Sequence, residues 1–366
     1  MRLWRKNKLT RVVGWDIGGA NTKATFIRTA NGKIEELQTA MEYFPFWKRD
    51  TTQLYNMLSA LKTKVAGAAV LDCMAVTMTA ELSDAYSTKR EGVNHILDCI
   101  SRVFEETPVL VVSVNGTLES VTAARSNPLM VAAANWAATG WLLSHKVNDC
   151  VVVDVGSTST SIIPIVGGKV AAKGITDLEK LLNGELVYTG SLRTNVAAIV
   201  SSVPLRGGCA RVSSELFAQS ADVHQILGNI NVEDYSVETP DGKGKTVADA
   251  MARLARVVCA DTEMLTHQEI AQLAKHIYGA QVEQIADAIS QVYLQLKSRA
   301  KQTTPVVVTG LGRNFLARKA ATTAGVKKVL DIGELMPDRA ALTSPAVAAA
   351  MMAAAKLEGR SPKWTP

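Results

Sequence analysis

One segment of this 366-residue chain is written twice. Val13-Gly14-Trp15-Asp16-Ile17-Gly18-Gly19-Ala20-Asn21-Thr22-Lys23 returns, altered, as Val151-Val152-Val153-Asp154-Val155-Gly156-Ser157-Thr158-Ser159-Thr160-Ser161. Each copy is an apolar run ending in Asp, then a Gly-rich turn of small hydroxyl or amide residues, then a second apolar run (24–27 and 162–166). That order predicts a β-hairpin with its turn facing outward, because glycine tolerates positive φ and lets backbone amides approach a ligand closely. A lone Asp-x-Gly turn reads most simply as an ordinary hairpin. Two copies at half-chain spacing are an internal duplication, which is itself a fold signature, and two facing copies would frame one cleft.

Asp16 and Asp154 are expected at strand ends, where a carboxylate holds Mg²⁺ directly or through water, so both are candidate metal ligands and catalytic residues. The adjoining turns supply candidate phosphate donors: Gly18, Gly19, Asn21 and Thr22 in the first, Gly156, Ser157, Thr158 and Ser159 in the second. Lys23 is either a fixed cation for a phosphoryl oxygen or a solvated hairpin residue. Gly310 and Gly312 follow the apolar run 306–308 and precede a helical pattern beginning near Phe315. They form a third candidate anion loop at a helix N-terminus, or simply a tight strand-to-helix turn. Glu81 and Asp84 fall after the strand 71–77, at the carboxyl end of a sheet, where either is a candidate base or merely caps a turn. Asn135 stands beside Trp136 in a run of small residues; the Trp reads as core, whereas Asn135 is a candidate substrate contact. Arg193 and Asp222, in a polar and irregular stretch, are further candidates for substrate binding, with solvated surface the alternative for Arg193.

The chain exceeds the size at which one core stops growing, so two domains are expected. A hydrophobic content of 47% with 20% charged residues excludes a disordered or membrane-spanning class. No apolar stretch reaches the length of a membrane span and no leader pattern is visible, which predicts a cytoplasmic protein. The net charge of +6 is partly local to Arg2, Arg5, Lys6, Lys8 and Arg11. Without interleaved aromatic residues it does not describe a nucleic-acid platform; it suits an enzyme for a polyanionic small molecule. Cys73, Cys99, Cys150, Cys209 and Cys259 are odd in number and set in apolar surroundings, as expected of reduced core thiols. The histidines lack metal-ligand spacing.

Along the first half, a hairpin (11–40), helix (51–66), strand (71–77), helix (91–105), strand (109–114) and helix (129–143) alternate as an α/β sheet requires. The second half restarts at Val151 and adds an apolar run at 169–175. An irregular block follows at about 176–245, then helices at 246–259 and 266–299. The domains are therefore drawn as 1–148 and 149–366, the second carrying the 176–245 insert. A last Ala-rich helix, 345–357, is expected to be capped by Ser344 with Pro345 in its first turn.

The duplicated Asp-turn and the Gly310-Leu311-Gly312 loop resemble the actin, hexokinase and Hsp70-type superfamily. That likeness implies duplicated ribonuclease-H-like α/β domains with a central cleft. More narrowly, Gly14 to Lys23, Thr79-Ala80-Glu81-Leu82-Ser83-Asp84 with Lys89 and Glu91-Gly92-Val93, Ala133 to Trp136, Val155 to Thr160, Tyr188-Thr189-Gly190 and Ala221-Asp222-Val223 resemble the hydantoinase/oxoprolinase-related proteins of the tetrahydromethanopterin-linked one-carbon pathway. The resemblance covers nearly the whole chain. It implies a methanofuran-biosynthesis transferase that condenses an (aminomethyl)furan-methyl diphosphate with the phenol oxygen of a glutamyl-tyramine or tyrosine-like acceptor. Diphosphate would leave with Mg²⁺ as cofactor, and Glu81 or Asp84 would serve as base. An ATP-dependent kinase or hydrolase of the same fold, and a non-catalytic nucleotide-binding regulator, stay open beside it. Its partners are small molecules, with no nucleic acid or membrane, and homo-oligomerisation is left open.

Overall fold

The computed structural model describes residues 9–49, 51–296, 304–360 and 363–364. The basic residues Arg2, Arg5, Lys6 and Lys8, and the expected end of the long helix at 299, lie outside them. In chain order the strands are β1 (Leu9–Ile17), β2 (Asn21–Ala30), β3 (Lys33–Tyr43), β4 (Cys73–Met78), β5 (Val109–Val112), β6 (Leu118–Ser120), β7 (Cys150–Val155), β8 (Thr160–Val166), β9 (Lys169–Val170), β10 (Leu186–Val187), β11 (Ser202–Leu205), β12 (Gly208–Arg211), β13 (Val306–Thr309), β14 (Val329–Asp331) and β15 (Lys363–Trp364). The helices are α1 (Thr51–Ala66), α2 (Lys89–Val103), α3 (Val121–Ser126), α4 (Asn135–Ser144), α5 (Asp177–Leu182), α6 (Ser220–Ile226), α7 (Val247–Arg256), α8 (His267–Leu296), α9 (Arg318–Thr323), α10 (Asp338–Ala341) and α11 (Ser344–Glu358).

Two units divide the chain, one of Met1–Asn148, Ile165–Glu179 and Ile332–Pro366, the other of Asp149–Pro164 and Lys180–Asp331. The sequence reading draws its boundary at 148/149; in the structure the segments 165–179 and 332–366 group with the first unit. In the first unit the sheet runs β15-β3-β2-β1-β4-β5-β6. β1 is antiparallel to β2 and parallel to β4, and burial on both faces explains its nearly continuous apolar sequence. On one face Val13, Trp15 and Ile17 join the core formed with Leu54 and Leu58 of α1 and Ile96 and Leu97 of α2. On the other, α11 lies against β1, β2 and β4. A Cβ at Gly14 would collide with the Ala346 carbonyl and the Ala350 amide, so glycine and an alanine-rich helix are matched for close backbone approach.

The far end of that helix is tied down by Glu358, whose carboxylate accepts from the Gly32 amide at 2.6 Å and from the Thr29 hydroxyl. Its start differs from expectation: Thr343 occupies the cap, Ser344 is the first helical residue, and no side-chain cap hydrogen bond forms. Helix α4 begins at Asn135 rather than 129, since Pro128–Met130 is a 3₁₀ turn and Ala133 takes a left-handed backbone with φ of 51°.

In the second unit the strand order is β10-β8-β7-β13-β14, with β9 on β8. The order repeats β3-β2-β1-β4-β5, as duplication of an actin/hexokinase-type fold requires. The expected strand at 169–175 is only Lys169–Val170. The insert contributes the hairpin β11–β12 and α6, which build a core with α7 and α8 around Val203, Val223, Leu254 and Leu273. Cys73, Cys99 and Cys150 are buried, whereas Cys209 and Cys259 are exposed; all five are free, so the last two are not the core thiols that the sequence suggested. Among the described residues no helix is long and apolar enough to cross a membrane.

Candidate active site

In both units the Asp lies one residue before the end of its strand, and the turn that follows closes in the same way. The Gly18 amide donates to the Asn21 carbonyl at 3.0 Å; the Gly156 amide donates to the Ser159 carbonyl at 2.9 Å. Across the parallel neighbour, Asp16 stands opposite Thr77 and Asp154 opposite Thr309. The duplication therefore extends beyond the turn to the parallel strand beside each Asp, β4 and β13.

In the first unit, Asp16 is only 4% exposed. The hairpin register sets Lys23 opposite it, with the ammonium 3.3 Å from Oδ2, while Oδ1 has no hydrogen-bond partner. Burial raises the Asp16 pKa and the Lys23 charge pulls it back. A carboxylate oxygen buried without a donor is costly unless something electropositive meets it, and oxygen is the donor type that Mg²⁺ takes. Gly18 is sterically required, since a Cβ there would sit 2.7 Å from the Asn21 carbonyl oxygen; a Cβ at Gly19 would meet nothing nearer than 3.9 Å.

Directly after β4, a 3₁₀ turn carries Glu81 inward and leaves Asp84 exposed. Glu81 is 1% exposed, and neither carboxylate oxygen has a hydrogen-bond partner. Thr88 caps α2 by accepting from the Glu91 amide at 3.2 Å, and the next residue, Lys89, thereby reaches to 3.8 Å from Glu81 Oε1. The Lys89 ammonium is closer to Asp177 Oδ2, at 2.5 Å. Burial pushes Glu81 up to about 7 against the downward pull of Lys89; Asp177 raises it, and the amide of the strained Ala133 lies near enough to lower it. Gly92 is forced by this packing, because a Cβ there would lie 2.6 Å from the Glu81 Cα.

In the second unit the turn 156–159 is half-buried and wrapped by the loop 188–194. The Ser191 amide donates to the Gly156 carbonyl at 2.9 Å, and those of Leu192 and Arg193 to the Ser157 carbonyl at 2.9 and 3.0 Å. Arg193 donates from its guanidinium to the Thr158 hydroxyl at 3.1 Å, so it belongs to the turn rather than to open surface. Gly310, with φ of 84°, sits where a Cβ would come 2.6 Å from Asp154 Oδ1. A Cβ at Gly312 would come 2.6 Å from Ser191 Oγ, a buried hydroxyl without a partner.

Two expectations change. The Gly312 amide is taken by the Val155 carbonyl at 3.0 Å, and a π-helical turn, 313–317, precedes α9; Gly312 therefore serves close approach and is not a free anion donor. Asp222 is fully buried, accepts from Tyr235, Arg253 and the Gln219 amide, and closes the capping box of α6; it holds the fold and does not face a substrate. Asn135 accepts from the Trp136 amide at 2.8 Å as α4 begins. Among the described residues no three His, Cys, Asp or Glu side chains gather where they could hold a metal. Sequence reasoning missed Asp177 as part of these sites; it carries no local signal, since it is defined by what folds against it.

Known proteins resemble this chain. The family described as Hydantoinase/oxoprolinase matches residues 72–356. The (4-{4-[2-(gamma-L-glutamylamino)ethyl]phenoxymethyl}furan-2-yl)methanamine synthase of Methanocaldococcus jannaschii is 40% identical over 306 residues, covering 83% of this chain and 87% of that protein. The synthase of the same description from Methanococcus vannielii is 34% identical over 206 residues, covering 56% of this chain and 90% of that protein. Among solved structures, a nucleotide-free acetone carboxylase superposes with a TM-score of 0.58 at 11% identity, covering 94% of this chain and 70% of that one. At that identity the likeness concerns the fold alone.

Proposed function

We propose that this chain, which belongs to the hydantoinase/oxoprolinase family, is a transferase of methanofuran-type cofactor biosynthesis that joins a furylmethyl carbon to a phenol oxygen. It is an enzyme, as the synthases it matches are. Their product, as named, carries a phenoxymethyl link to a furan. For this chain we read the donor as an (aminomethyl)furan-methyl diphosphate and the acceptor as γ-glutamyltyramine or a tyrosine-like phenol. The phenol oxygen bonds to the furylmethyl carbon as the carbon–oxygen bond to diphosphate breaks, and the electron pair leaves with the diphosphate. The phenolic proton passes to Glu81.

The observation that carries this reading is the buried Asp16 carboxylate with one oxygen unpartnered beside Lys23. Asp16 in the first unit and Asp154 in the second are each a candidate holder of Mg²⁺, which when bound would supply charge to stabilise a departing diphosphate. Within its own unit, each turn suits phosphate oxygens: Gly18, Gly19, Asn21 and Thr22 in the first, and Gly156, Ser157, Thr158 and Ser159 in the second, where Arg193 adds a fixed cation. Between the two candidate bases, Glu81 is favoured over Asp84. Its carboxyl is desolvated and raised to about 7, which suits accepting a proton at neutral pH from a phenol of pKa about 10.

The test is turnover with the diphosphate donor. Asp16→Asn and Asp154→Asn should each lower kcat at least about 100-fold with unchanged circular dichroism, and diphosphate should appear one-to-one with ether product. Full activity in either variant, or stoichiometric consumption of ATP, removes the reading.

A further inference from the structure

Deep in the second unit, two polar side chains occupy positions where an apolar core would serve stability alone. Gln281 of α8 and His224 of α6 are both fully buried. Gln281 gives both of its amide hydrogens to the loop 188–194: Nε2 donates to Thr189 Oγ1 at 2.8 Å and to the Gly190 carbonyl at 2.9 Å. With its nitrogen so occupied, Gln281 Oε1 is left to accept, and His224 Nε2 lies 3.0 Å away. His224 therefore carries its proton on Nε2, and its Nδ1 accepts from Asn229 Nδ2 at 3.2 Å. The donors run in one direction, from Asn229 through His224 and Gln281 into the loop. Burial drives the His224 pKa down to about 3, so the imidazole stays neutral and the tautomer holds across the working pH range.

The loop that receives this chain is the one that fastens the second Asp-turn. Gly190 lies so close that a Cβ there would be 2.6 Å from the Thr158 carbonyl carbon and 2.7 Å from that of Ser157. Immediately after it come the three amides, 191–193, that bond the turn's carbonyls. Inside the loop, Thr194 Oγ1 accepts from the Gly190 amide at 2.9 Å, and Thr160 Oγ1 donates to the Thr189 carbonyl at 2.8 Å. A fully satisfied buried network of this kind fixes one geometry, and a partly satisfied one costs more than apolar packing would.

We propose that Gln281 and His224 are positioning residues, which set the loop 188–194 and through it the turn 156–159 and Arg193 for binding a diphosphate group. The inference rests on the reading of that turn as a diphosphate site. Neither residue touches the substrate; each acts through the loop.

Gln281→Met and His224→Leu break the chain at nearly constant volume, while His224→Gln keeps a donor where Nε2 stands. Binding of inorganic diphosphate with Mg²⁺, followed by titration calorimetry, should weaken about tenfold in the first two and return toward the parent value in His224→Gln. Hydrogen exchange at the amides of residues 191–193 should speed up about tenfold in the same two variants and recover in the third, with β7 and β13 unchanged. The KM for the phenolic acceptor should stay constant in all three. If Gln281→Met does not fold, Asn229→Ala at the outer end of the chain gives the same reading with a smaller change. Unchanged exchange at 191–193, or a His224→Gln variant no better than His224→Leu, overturns the proposal. Restored protection in a protein that never binds diphosphate upholds the positioning and removes the diphosphate reading of the turn.

Discussion

Glu81 is the residue at which fold stability and chemistry pull in opposite directions. Its carboxyl is raised from an ordinary 4.5 to about 7, chiefly by desolvation, and Lys89, held at 2.5 Å by Asp177, offsets only part of that. Between those two values the folded protein binds a proton that the unfolded chain has released, so stability falls as pH rises through the window. Replacing Glu81 by Gln removes the penalty. Glu81→Gln should therefore raise Tm by about 2–4 °C at pH 8 and leave it unchanged at pH 4, as paired calorimetric scans would show. The same variant should lower kcat about 100-fold or more and erase the rise of kcat/KM through about pH 7. A Tm gain equal at both pH values would mean that Glu81 is not held as described. That a carboxylate stands at this strand end was legible in the sequence. The choice of Glu81 over Asp84 was not, because burial separates them, and the partner that fixes Lys89 lies 88 positions further on.

At the scale of elements, periodicity and propensity located α1, the start of α8 and β13 nearly to the residue, and failed where tertiary contacts overrule them. The run before Trp136 has the composition of a helix, yet the bridge from Met78 to Ala132 and the left-handed Ala133 hold it open until Asn135. Asp222 looked like a polar group in a loose insert; its buried pairing with Arg253 depends on α7, which no local pattern connects to it. The contact of α11 with β1 is the most exacting of these. Its backbone passes so near Gly14 that even a methyl group has no room. Gly14→Ala should cost about 1–3 kcal/mol, read as a lower denaturant midpoint with unchanged slope. An unshifted midpoint would mean that α11 does not lie on this strand as described.

For the molecule as a whole, duplication was legible because two Asp-turns repeat. What could not be read was the return of the chain: an Ala-rich helix advertises close packing without naming the sheet that it covers. Residues 1–148 expressed alone should lack a cooperative thermal transition, since β1, β2 and β4 lose the helix that lies on them. A version that carries 332–366 through a flexible linker should regain one, measured by circular dichroism on heating. Cooperative melting of 1–148 by itself would show that α11 is dispensable. The discontinuity also sets an order of events during translation. The ribosome releases everything up to Asp331, a complete set for the other unit, before it makes the helix that shelters the first strands. The first unit's sheet is thus made before the second unit and covered only after it, and the nascent chain must keep that apolar face from neighbours until α11 has emerged.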